Sequence, residues 1–399
     1  MLIFFVTLAS IFAYVWLVPE DGRKTHIKLD PTVNANKTDV VGPLVITTKQ
    51  TTPTPKGSAT PKPGTKATTP AGQSYTGHCD NRSPYGFTTM NADSTLVGYY
   101  QQMNVCWVRL QIHESALQKS DGSYDFTVLD GIVGLMNSKH IHIDLPLECF
   151  NGPSGKGNSN CFSGSTYIPT AAEMKDFATQ IAIRYNGRVG SAGYIDAYEI
   201  LNEEPDFGIN AGIFDIANYC PILQAGYAAI KAPTASPTAI VGMFGTFPTN
   251  PDYTAAVLNA IFKGGCGSSM DFLNFHYYNG GHDPSIVYDA THPTFDQKWQ
   301  IIHNVAAQNG YGNKPIWVTE TGWTIAPLGP IAPVTPDQQS QYLQYVSIHA
   351  GQSGTIQRIF WYTINMGDQT NSIYPTSKGP LPAFSALTNL VKQHPLWPY

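Results

Sequence analysis

The stretch YEILNEEPD, residues 198–206, sets two adjacent glutamates at the end of a run that is typical of a buried strand. Short apolar runs of this kind alternate with amphipathic helical segments from residue 85 onward. The predicted strands cover residues 85–90, 105–112, 140–147, 195–201, 239–245, 270–278, 315–320 and 358–364. Eight strands that alternate with helices predict an α/β fold, the (β/α)8 TIM barrel. No glycine-rich phosphate loop follows any strand, which disfavours an open nucleotide-binding sheet.

Helix starts in the same segment carry clear signals. Thr170 and Glu173 have the spacing of a capping box, in which each side chain bonds the other residue's backbone amide. Thr335 stands directly before Pro336, and proline is favoured at the first helical position. We therefore expect helices that begin directly after Thr170 and after Thr335.

Composition limits the class of function. The chain has 399 residues, of which 42% are hydrophobic and 13% are charged, and its formal net charge is −5. This is ample apolar material for a large core. The acidic balance offers no basic surface for a polyphosphate, so we expect no binding of nucleic acid. A globular enzyme with a neutral substrate fits the composition better.

The N-terminal region differs from the rest of the chain. Residues 2–18 form an uncharged apolar run just long enough to span a bilayer, and residues 47–75 are rich in Thr, Pro, Gly and Lys without any acid. Such a segment cannot bury a core. The sequence predicts a signal or membrane anchor over residues 1–18, a disordered linker over residues 19–75 and a catalytic barrel over residues 76–399. We favour an uncleaved anchor. Arg23, Lys24 and Lys28 after the apolar run argue against an exported C-terminus, whereas the linker favours export, so we expect the protein outside the cell or at its surface.

All six cysteines follow the predicted linker, and none forms a CxxC pair or a zinc-like cluster with histidine. Disulfides formed in an oxidising compartment are the natural interpretation, and buried thiols are the alternative. Cys149 and Cys161 bracket the Gly/Asn/Ser-rich loop FNGPSGKGNSN. Closing such a short loop stabilises by about 3 kcal/mol, so we predict a bridge between these two residues.

Strand alternation decides between the two glutamates of the opening stretch. Successive side chains point to opposite faces, so Glu203 and Glu204 cannot both point into the barrel while the chain stays extended. The predicted inward positions are Ala197, Glu199, Leu201 and Glu203. Glu203 then emerges at the carboxyl-terminal mouth, where barrel active sites lie, and Glu204 opens the following loop.

A second glutamate ends another strand in WVTETGW, residues 317–323. Ile316, Val318 and Glu320 share one direction in the predicted strand, and Glu320 is its last residue. Glu203 ends the fourth strand and Glu320 the seventh, so two carboxyl groups face each other across one barrel mouth. Glycosidic cleavage needs such a pair: one protonated group donates to the leaving oxygen, and one ionised group attacks the anomeric carbon.

At these positions the chain resembles the clan A retaining glycoside hydrolases. In that clan the acid/base glutamate follows an asparagine at the end of strand 4, and the nucleophile ends strand 7, as Asn202-Glu203 and Glu320 do here. The resemblance extends over residues 80–399. Further matches are an arginine on strand 2, His-x-Tyr on strand 6 and an aromatic residue on strand 8, here Arg109, His276, Tyr278 and Trp361. Many members read Asn-Glu-Pro, whereas Glu204 precedes Pro205 here.

The resemblance implies a role for each residue. Glu203 is the acid/base with a pKa raised by burial and by the nearby charge, and Glu320 is the nucleophile, kept ionised by Arg109 and Tyr278. Asn202 donates to the sugar 2-hydroxyl.

Three more side chains are expected to touch or orient the substrate. His276 orients a hydroxyl or a carboxylate, and Trp323 and Trp361 offer flat apolar faces to a sugar ring. Core packing is the alternative for each of these three residues. The mechanism needs no cofactor and no metal ion, and we expect a monomer that acts on a carbohydrate.

Two other classes stay open. HIHID, with His140, His142 and Asp144, resembles in miniature the His-x-His of metal-dependent barrel hydrolases, but it opens the third strand on the amino-terminal side of the barrel. A non-catalytic carbohydrate-binding barrel would lack one of the two glutamates, and both are present. The sugar and the linkage depend on loops such as residues 151–167 and 280–293.

Overall fold

The computed structural model describes residues 79–80, 82–90, 92–152, 161, 166–328, 331–365 and 370–397. The predicted anchor, residues 1–18, and the predicted linker, residues 19–75, lie outside the described residues. Within the described ranges, no helix has both the length and the apolar character that crossing a bilayer requires.

Eight parallel strands form the centre of the fold. In chain order they are β1 (Tyr85–Thr89), β2 (Trp107–Leu110), β3 (His142–Leu147), β4 (Ala197–Ile200), β5 (Ile240–Gly242), β6 (Leu273–Tyr277), β7 (Ile316–Thr321) and β8 (Ile356–Trp361). The hydrogen-bonded order is β5-β4-β3-β2-β1-β8-β7-β6. Parallel bridges from Gly242 to Phe272 and from Thr246 to Phe275 join β5 to β6 and close the barrel. The predicted (β/α)8 barrel and its eight strands are confirmed.

Helices alternate with the strands. They are α1 (Ser94–Met103), α2 (Glu114–Leu117), α3 (Thr127–Ser138), α4 (Ala171–Arg184), α5 (Glu204–Asn210), α6 (Tyr219–Ile230), α7 (Pro251–Lys263), α8 (Phe295–Gln308), α9 (Pro336–Gln352) and α10 (Pro382–Gln393).

Both predicted helix starts are present. Thr170 and Thr335 are N-caps with complete capping boxes, and Pro336 occupies the first helical position of α9. A third capping box at Thr294 and Gln297 starts α8 and was not predicted. Local side-chain chemistry is sufficient to define these helix ends because the capping bonds span only three residues.

An aromatic cluster fills the barrel interior near the amino-terminal ends of the strands. Trp107, Trp317 and Phe360 pack there, with ring centroids 5.4 Å apart for the two tryptophans and 5.9 Å apart for Trp317 and Phe360. A separate and larger core lies between the strands and the helices. The barrel therefore has a packed apolar floor, and its polar groups collect at the opposite, carboxyl-terminal end.

Two disulfides tie loops to this scaffold. The predicted bridge between Cys149 and Cys161 is confirmed, and it fastens the loop after β3. A second bridge joins Cys220 on α6 to Cys266, which follows α7. In a chain-entropy account each bridge stabilises by about 3–4 kcal/mol, because it restricts the unfolded chain.

Candidate active site

Arg109 on β2 is the centre of the polar network in the barrel. Its Nε and Nη2 donate to the two carboxyl oxygens of Glu199 at 2.7 and 2.9 Å, and its Nη1 donates to Glu320 Oε1 at 2.7 Å. Nη2 also donates to Asn202 Oδ1 at 2.7 Å. The guanidinium is fully buried, so these charge-assisted bonds replace its hydration. One rigid fork thus aligns β2, the end of β4 and the end of β7.

Glu320 receives three hydrogen bonds at the mouth. Besides Arg109, Gln111 Nε2 donates to Oε1 at 3.0 Å, and the Tyr278 hydroxyl donates to Oε2 at 2.8 Å. Burial raises the pKa of this carboxyl above its usual value, while Arg109 and Tyr278 act in the opposite direction. Three donors on one carboxyl group stabilise its anion. Glu320 is therefore the member of the pair suited to act as a carboxylate nucleophile.

The surroundings of Glu203 favour its protonated form instead. Burial raises its pKa well above the usual value, and the negative charges on Glu320 and Asp206 raise it further. Its Oε1 is hydrogen-bonded to His276 Nδ1. Because Arg109 bonds Glu320 directly and no lysine or arginine in the described part of the chain bonds Glu203, the proton shared by the pair belongs on Glu203.

His276 lies between the two carboxyl groups. Its Nε2 is 3.7 Å from Glu320 Oε1, and its Nδ1 bonds Glu203. Burial, and then the charge of Arg109, lower the pKa of His276 well below its usual value, so the ring is neutral. Glu203, His276 and Glu320 each bring one polar atom to within 4.8 Å of the others. The two carboxyl groups are thus separated by little more than one imidazole ring.

Asp206, in the first turn of α5, extends this network. The amide of Phe247 donates to its Oδ2 at 3.0 Å, and the Tyr253 hydroxyl donates to its Oδ1 at 2.7 Å. The residue before Phe247, Thr246, accepts through its carbonyl from the His276 amide at 3.0 Å. One short segment after β5 therefore positions both His276 and a negative charge three residues from Glu203. Sequence reasoning missed Asp206, although it closes the opening stretch.

A buried lysine on α8 bonds the same segment after β5. Lys298 Nζ donates at 2.6 Å to the Pro248 carbonyl and at 2.6 Å to Thr254 Oγ1. Burial lowers the pKa of Lys298 to about 7, against the opposing effect of Asp206. Burial raises the pKa of Asp206 to about 6. No periodicity distinguishes Lys298 within α8, so the sequence held no signal for it.

Glu204 is turned away from Glu320. Its Oε1 accepts from the Cys149 amide and its Oε2 from the Asn202 amide, both at 2.7 Å. It is fully buried and links the loop after β3 to the end of β4. The structure therefore places Glu203 beside Glu320 and gives Glu204 a structural position. The catalytic roles stay predictions.

The predicted alternation along β4 is wrong in its last part. The strand ends at Ile200, and Leu201 has a left-handed φ of 69°. This turn directs Asn202, rather than Leu201, to Arg109, while Leu201 packs in the larger core. A residue with positive φ resets the side-chain direction, so strict alternation cannot be extended from Glu199 to Glu203.

The predicted direction along β7 also needs correction. Trp317, not Ile316, belongs to the interior aromatic cluster. The pairing register shifts between Phe275 and His276, so that Phe275 faces Val318 and His276 faces Glu320. The shift supplies the extra residue that turns Glu320 toward the mouth.

Neither predicted tryptophan platform lies open to a sugar. Trp361 is fully buried, its Nε1 donates to Ser347 on α9 at 2.9 Å, and its ring stacks on Tyr85, so it faces the helix layer. Trp323 is buried, and its Nε1 donates to Asn279 at 3.1 Å. Both residues therefore follow the alternative of core packing.

Tyr362 replaces Trp361 as the aromatic residue beside the carboxyl pair. Its ring centroid is 6.5 Å from that of Tyr278. Burial raises the pKa of its hydroxyl, and the charges on Glu320 and Glu203 raise it further. The sequence signal was present in FWYT, but alternation selected the wrong member of the Trp-Tyr pair.

Glu148 is a further buried acid at this end of the barrel. It directly follows β3, and no donor among the described residues bonds either of its carboxyl oxygens. Burial raises its pKa well above the usual value, and the charge on Glu204 adds to the effect. Its Oε1 lies 3.8 Å from His113 Nε2. Burial therefore favours the protonated form of Glu148.

The residues of the metal-hydrolase alternative are not gathered. His142 Nδ1 bonds Asp196 at 2.8 Å and its ring stacks on Trp107 at the apolar floor, while Asp144 lies 4.0 Å from Arg109 Nε. His140 precedes the strand with a φ of 57°. This set therefore offers no common site for an ion.

Among the described residues, two other groups of three have ligand atoms close together. One contains Cys149 and Cys161, whose sulfur atoms are already joined in a disulfide. The other is Glu203, His276 and Glu320, where the charge of Arg109 beside Glu320 opposes a second cation.

Part of the chain matches a known protein family. Residues 232–381 match the family described as Glycosyl hydrolase catalytic core. No curated protein matches the chain. The resemblance to glycoside hydrolases inferred from the strand-end residues is thereby confirmed for the core, which includes β6, β7 and β8.

Solved structures with the same fold include three glycosidases. A family 39 glycoside hydrolase from Bacteroides cellulosilyticus WH2 aligns with a TM-score of 0.59 and 16% identity, over 77% of this chain and 64% of that one. A fungal β-1,4-galactanase aligns with a TM-score of 0.57 and 14% identity, over 77% and 99%. A monomeric β-xylosidase from Caulobacter crescentus CB15 aligns with a TM-score of 0.55 and 17% identity, over 79% and 69%. The chain thus spans slightly less than two thirds of the first of these structures.

Proposed function

We propose that this chain, which matches a glycosyl hydrolase catalytic core, is a retaining glycosidase in which Glu320 is the nucleophile and Glu203 the acid/base. The observation that carries this proposal is the approach of Glu203, His276 and Glu320 to within 4.8 Å of one another. Retaining enzymes keep their carboxyl groups about 5–5.5 Å apart, whereas inverting enzymes need about 6.5–9.5 Å to admit a water molecule. The short separation supports double displacement.

The first step uses the proton that burial and Glu320 hold on Glu203. Glu203 donates this proton to the glycosidic oxygen while Glu320 attacks the anomeric carbon, and the bond between that carbon and the oxygen breaks. A glycosyl ester on Glu320 and a free alcohol result. Asn202, whose amide oxygen accepts from Arg109, is oriented to offer its NH₂ group to the sugar 2-hydroxyl.

The second step reverses the role of Glu203. Formation of the ester removes the negative charge of Glu320, which is the largest charge effect that raises the pKa of Glu203. The pKa of Glu203 therefore falls, and its carboxylate takes a proton from water as the water oxygen attacks the anomeric carbon. The bond to Glu320 breaks, and the product has the configuration of the substrate. Neutral His276 can donate to the Glu203 anion and accept from its acid form.

The proposed substrate is a β-linked neutral oligo- or polysaccharide, cleaved without a cofactor by a monomer. The structural neighbours named for β-1,4-galactan and β-xyloside cleavage support this class. We propose export for the same chain, with residues 1–18 as an anchor and residues 19–75 as a tether. The two disulfides support an oxidising compartment.

Matched variants test the mechanism. With an activated aryl β-glycoside, product followed by NMR should first appear as the β-anomer. Glu320→Ala should abolish turnover, whereas Glu203→Ala should accumulate the glycosyl-enzyme, and added azide should restore turnover and yield a β-glycosyl azide.

Glu204→Ala is the control, because among the described residues its side chain bonds only backbone amides. It should destabilise the protein without any azide effect. First appearance of the α-anomer, or azide rescue in Glu204→Ala rather than in Glu203→Ala, contradicts the assignment.

A further inference from the structure

Four of the six cysteines are bridged in pairs, and the other two, Cys79 and Cys106, lie together at the amino-terminal end of the barrel. Cys79 packs against the aromatic floor cluster of which Cys106 is a member. The two thiols point at neighbouring backbone carbonyls: Cys79 Sγ is 3.8 Å from the Val105 oxygen and Cys106 Sγ is 3.9 Å from the Asn104 oxygen. Cys79 Sγ thus reaches the residue next to Cys106, and both cysteines pack in one cluster.

From this contact we propose that Cys79 and Cys106 form a third disulfide in the exported protein. The same oxidising environment that closes the other two bridges acts on all six cysteines. Because Cys79 packs against the cluster that contains Cys106, side-chain rotation rather than a change of fold would bring the two sulfur atoms to bonding distance.

The mutual effect of the two thiols on their pKa values indicates the attacking sulfur. The interaction with Cys79 lowers the pKa of Cys106, whereas the interaction with Cys106 raises the pKa of Cys79. The Cys106 thiolate attacks one sulfur of a small disulfide such as oxidised glutathione and releases one glutathione thiolate. Cys79 then loses its proton and attacks the Cys106 sulfur of this mixed disulfide, which releases the second glutathione. Two protein thiols are oxidised, and one glutathione disulfide is reduced.

The bond would fasten the start of the barrel. Cys79 precedes β1, and Cys106 directly precedes β2, so the closed loop contains β1 and α1. β1 pairs with both β2 and β8 and therefore completes the barrel. The predicted linker, residues 19–75, ends shortly before Cys79. The bridge would therefore hold β1 in place against a force that the linker transmits to the barrel.

Peptide mapping of the full-length chain, expressed with its exported segment and alkylated in denaturant without reductant, tests the bond directly. We expect a peptide pair that contains Cys79 and Cys106 and is separated only by reduction. Alkylated Cys79 and Cys106 in most molecules, or either residue paired with another cysteine, would overturn the proposal.

Thermal unfolding of Cys79→Ser, Cys106→Ser and the double variant tests the energetic consequence. Because either substitution removes the whole bond, each single variant should lower Tm by about 5 °C and the double variant by no more. Losses that add in the double variant would show separate packing effects and overturn the proposal. Glycosidase activity is not the readout, so this result stands apart from the proposed mechanism.

Discussion

Two buried arginines inside the barrel have opposite surroundings. Arg109, toward the carboxyl-terminal end, bonds Glu199, Glu320 and Asn202. Arg358, toward the amino-terminal end, has its guanidinium carbon 3.9 Å from the Trp107 ring centroid and 4.8 Å from that of Trp317.

The two settings act differently on charge. Carboxylates around Arg109 hold its pKa well above the usual value in spite of burial, whereas burial lowers the pKa of Arg358 to about 10. A buried carboxylate partner is oriented by the arginine fork, while an aromatic face tolerates many positions of the cation. Geometry at the carboxyl-terminal end should therefore control catalysis, and packing at the amino-terminal end should control stability. Four changes test this division.

The largest expected effect comes from Arg109→Lys. Lysine keeps the charge but cannot bond Glu199, Glu320 and Asn202 in one plane, so kcat should fall by about 10²-fold or more. Arg358→Lys is the matched control and should lower Tm while kcat stays near that of the unmodified enzyme. Aryl-glycoside kinetics and thermal unfolding measure both. Equal losses of kcat in the two variants would show that the two ends of the barrel do not divide catalysis and stability in this way.

Tyr278→Phe should have the next largest effect. It removes the 2.8 Å hydrogen bond to Glu320 and changes little else, and a bond to a charged group is worth about 1.5–3 kcal/mol, so kcat should fall by at least about 10-fold. The adjacent Tyr277 donates instead to the Pro293 carbonyl. Tyr277→Phe should therefore reduce stability and spare kcat. A comparable kcat in the two variants would argue against a role for Tyr278 at Glu320, the proposed nucleophile.

Asp206→Asn should change pH dependence more than rate. In the proposed mechanism Glu203 must be protonated to act as the acid, and the negative charge of Asp206 helps raise its pKa. Without that charge the pKa of Glu203 falls, so the alkaline limb of the kcat/KM profile should move to lower pH by up to about one unit. Asp196→Asn, beside His142, is the control and should leave the limb in place. A shift to higher pH would contradict the sign of this coupling.

The smallest effect on activity is expected at the apolar floor. A Cβ atom on Gly86 would lie 2.4 Å from the Phe360 ring, so Gly86→Ala should destabilise the protein by about 1–3 kcal/mol and leave kcat unchanged. Gly98 lies within α1, and no atom of the described residues lies within 4 Å of an added Cβ, so Gly98→Ala should stabilise by about 0.5–1 kcal/mol. Denaturant unfolding compares the two. A fall in kcat for Gly86→Ala would mean that the floor also tunes the site.

Sequence alone determined the features that depend on short-range patterns. Alternating apolar runs predicted all eight strands, and capping residues such as Thr170 marked helix starts, because these signals act over a few residues. The short Gly/Asn/Ser loop similarly indicated the bridge between Cys149 and Cys161. Strand ends placed Glu203 and Glu320 at one mouth, since parallel strands all finish on the same side of a barrel.

Which side chains face the site depends on the tertiary structure. The positive φ of Leu201 and the register shift opposite β7 break the alternation, so Asn202 and Glu320 turn inward by routes that a regular strand does not provide. Tyr362 stands at the site while Trp361 packs under α9. Lys298, far along the chain, reaches the segment after β5. These outcomes depend on strand register and on contacts between distant segments, and a local pattern contains neither.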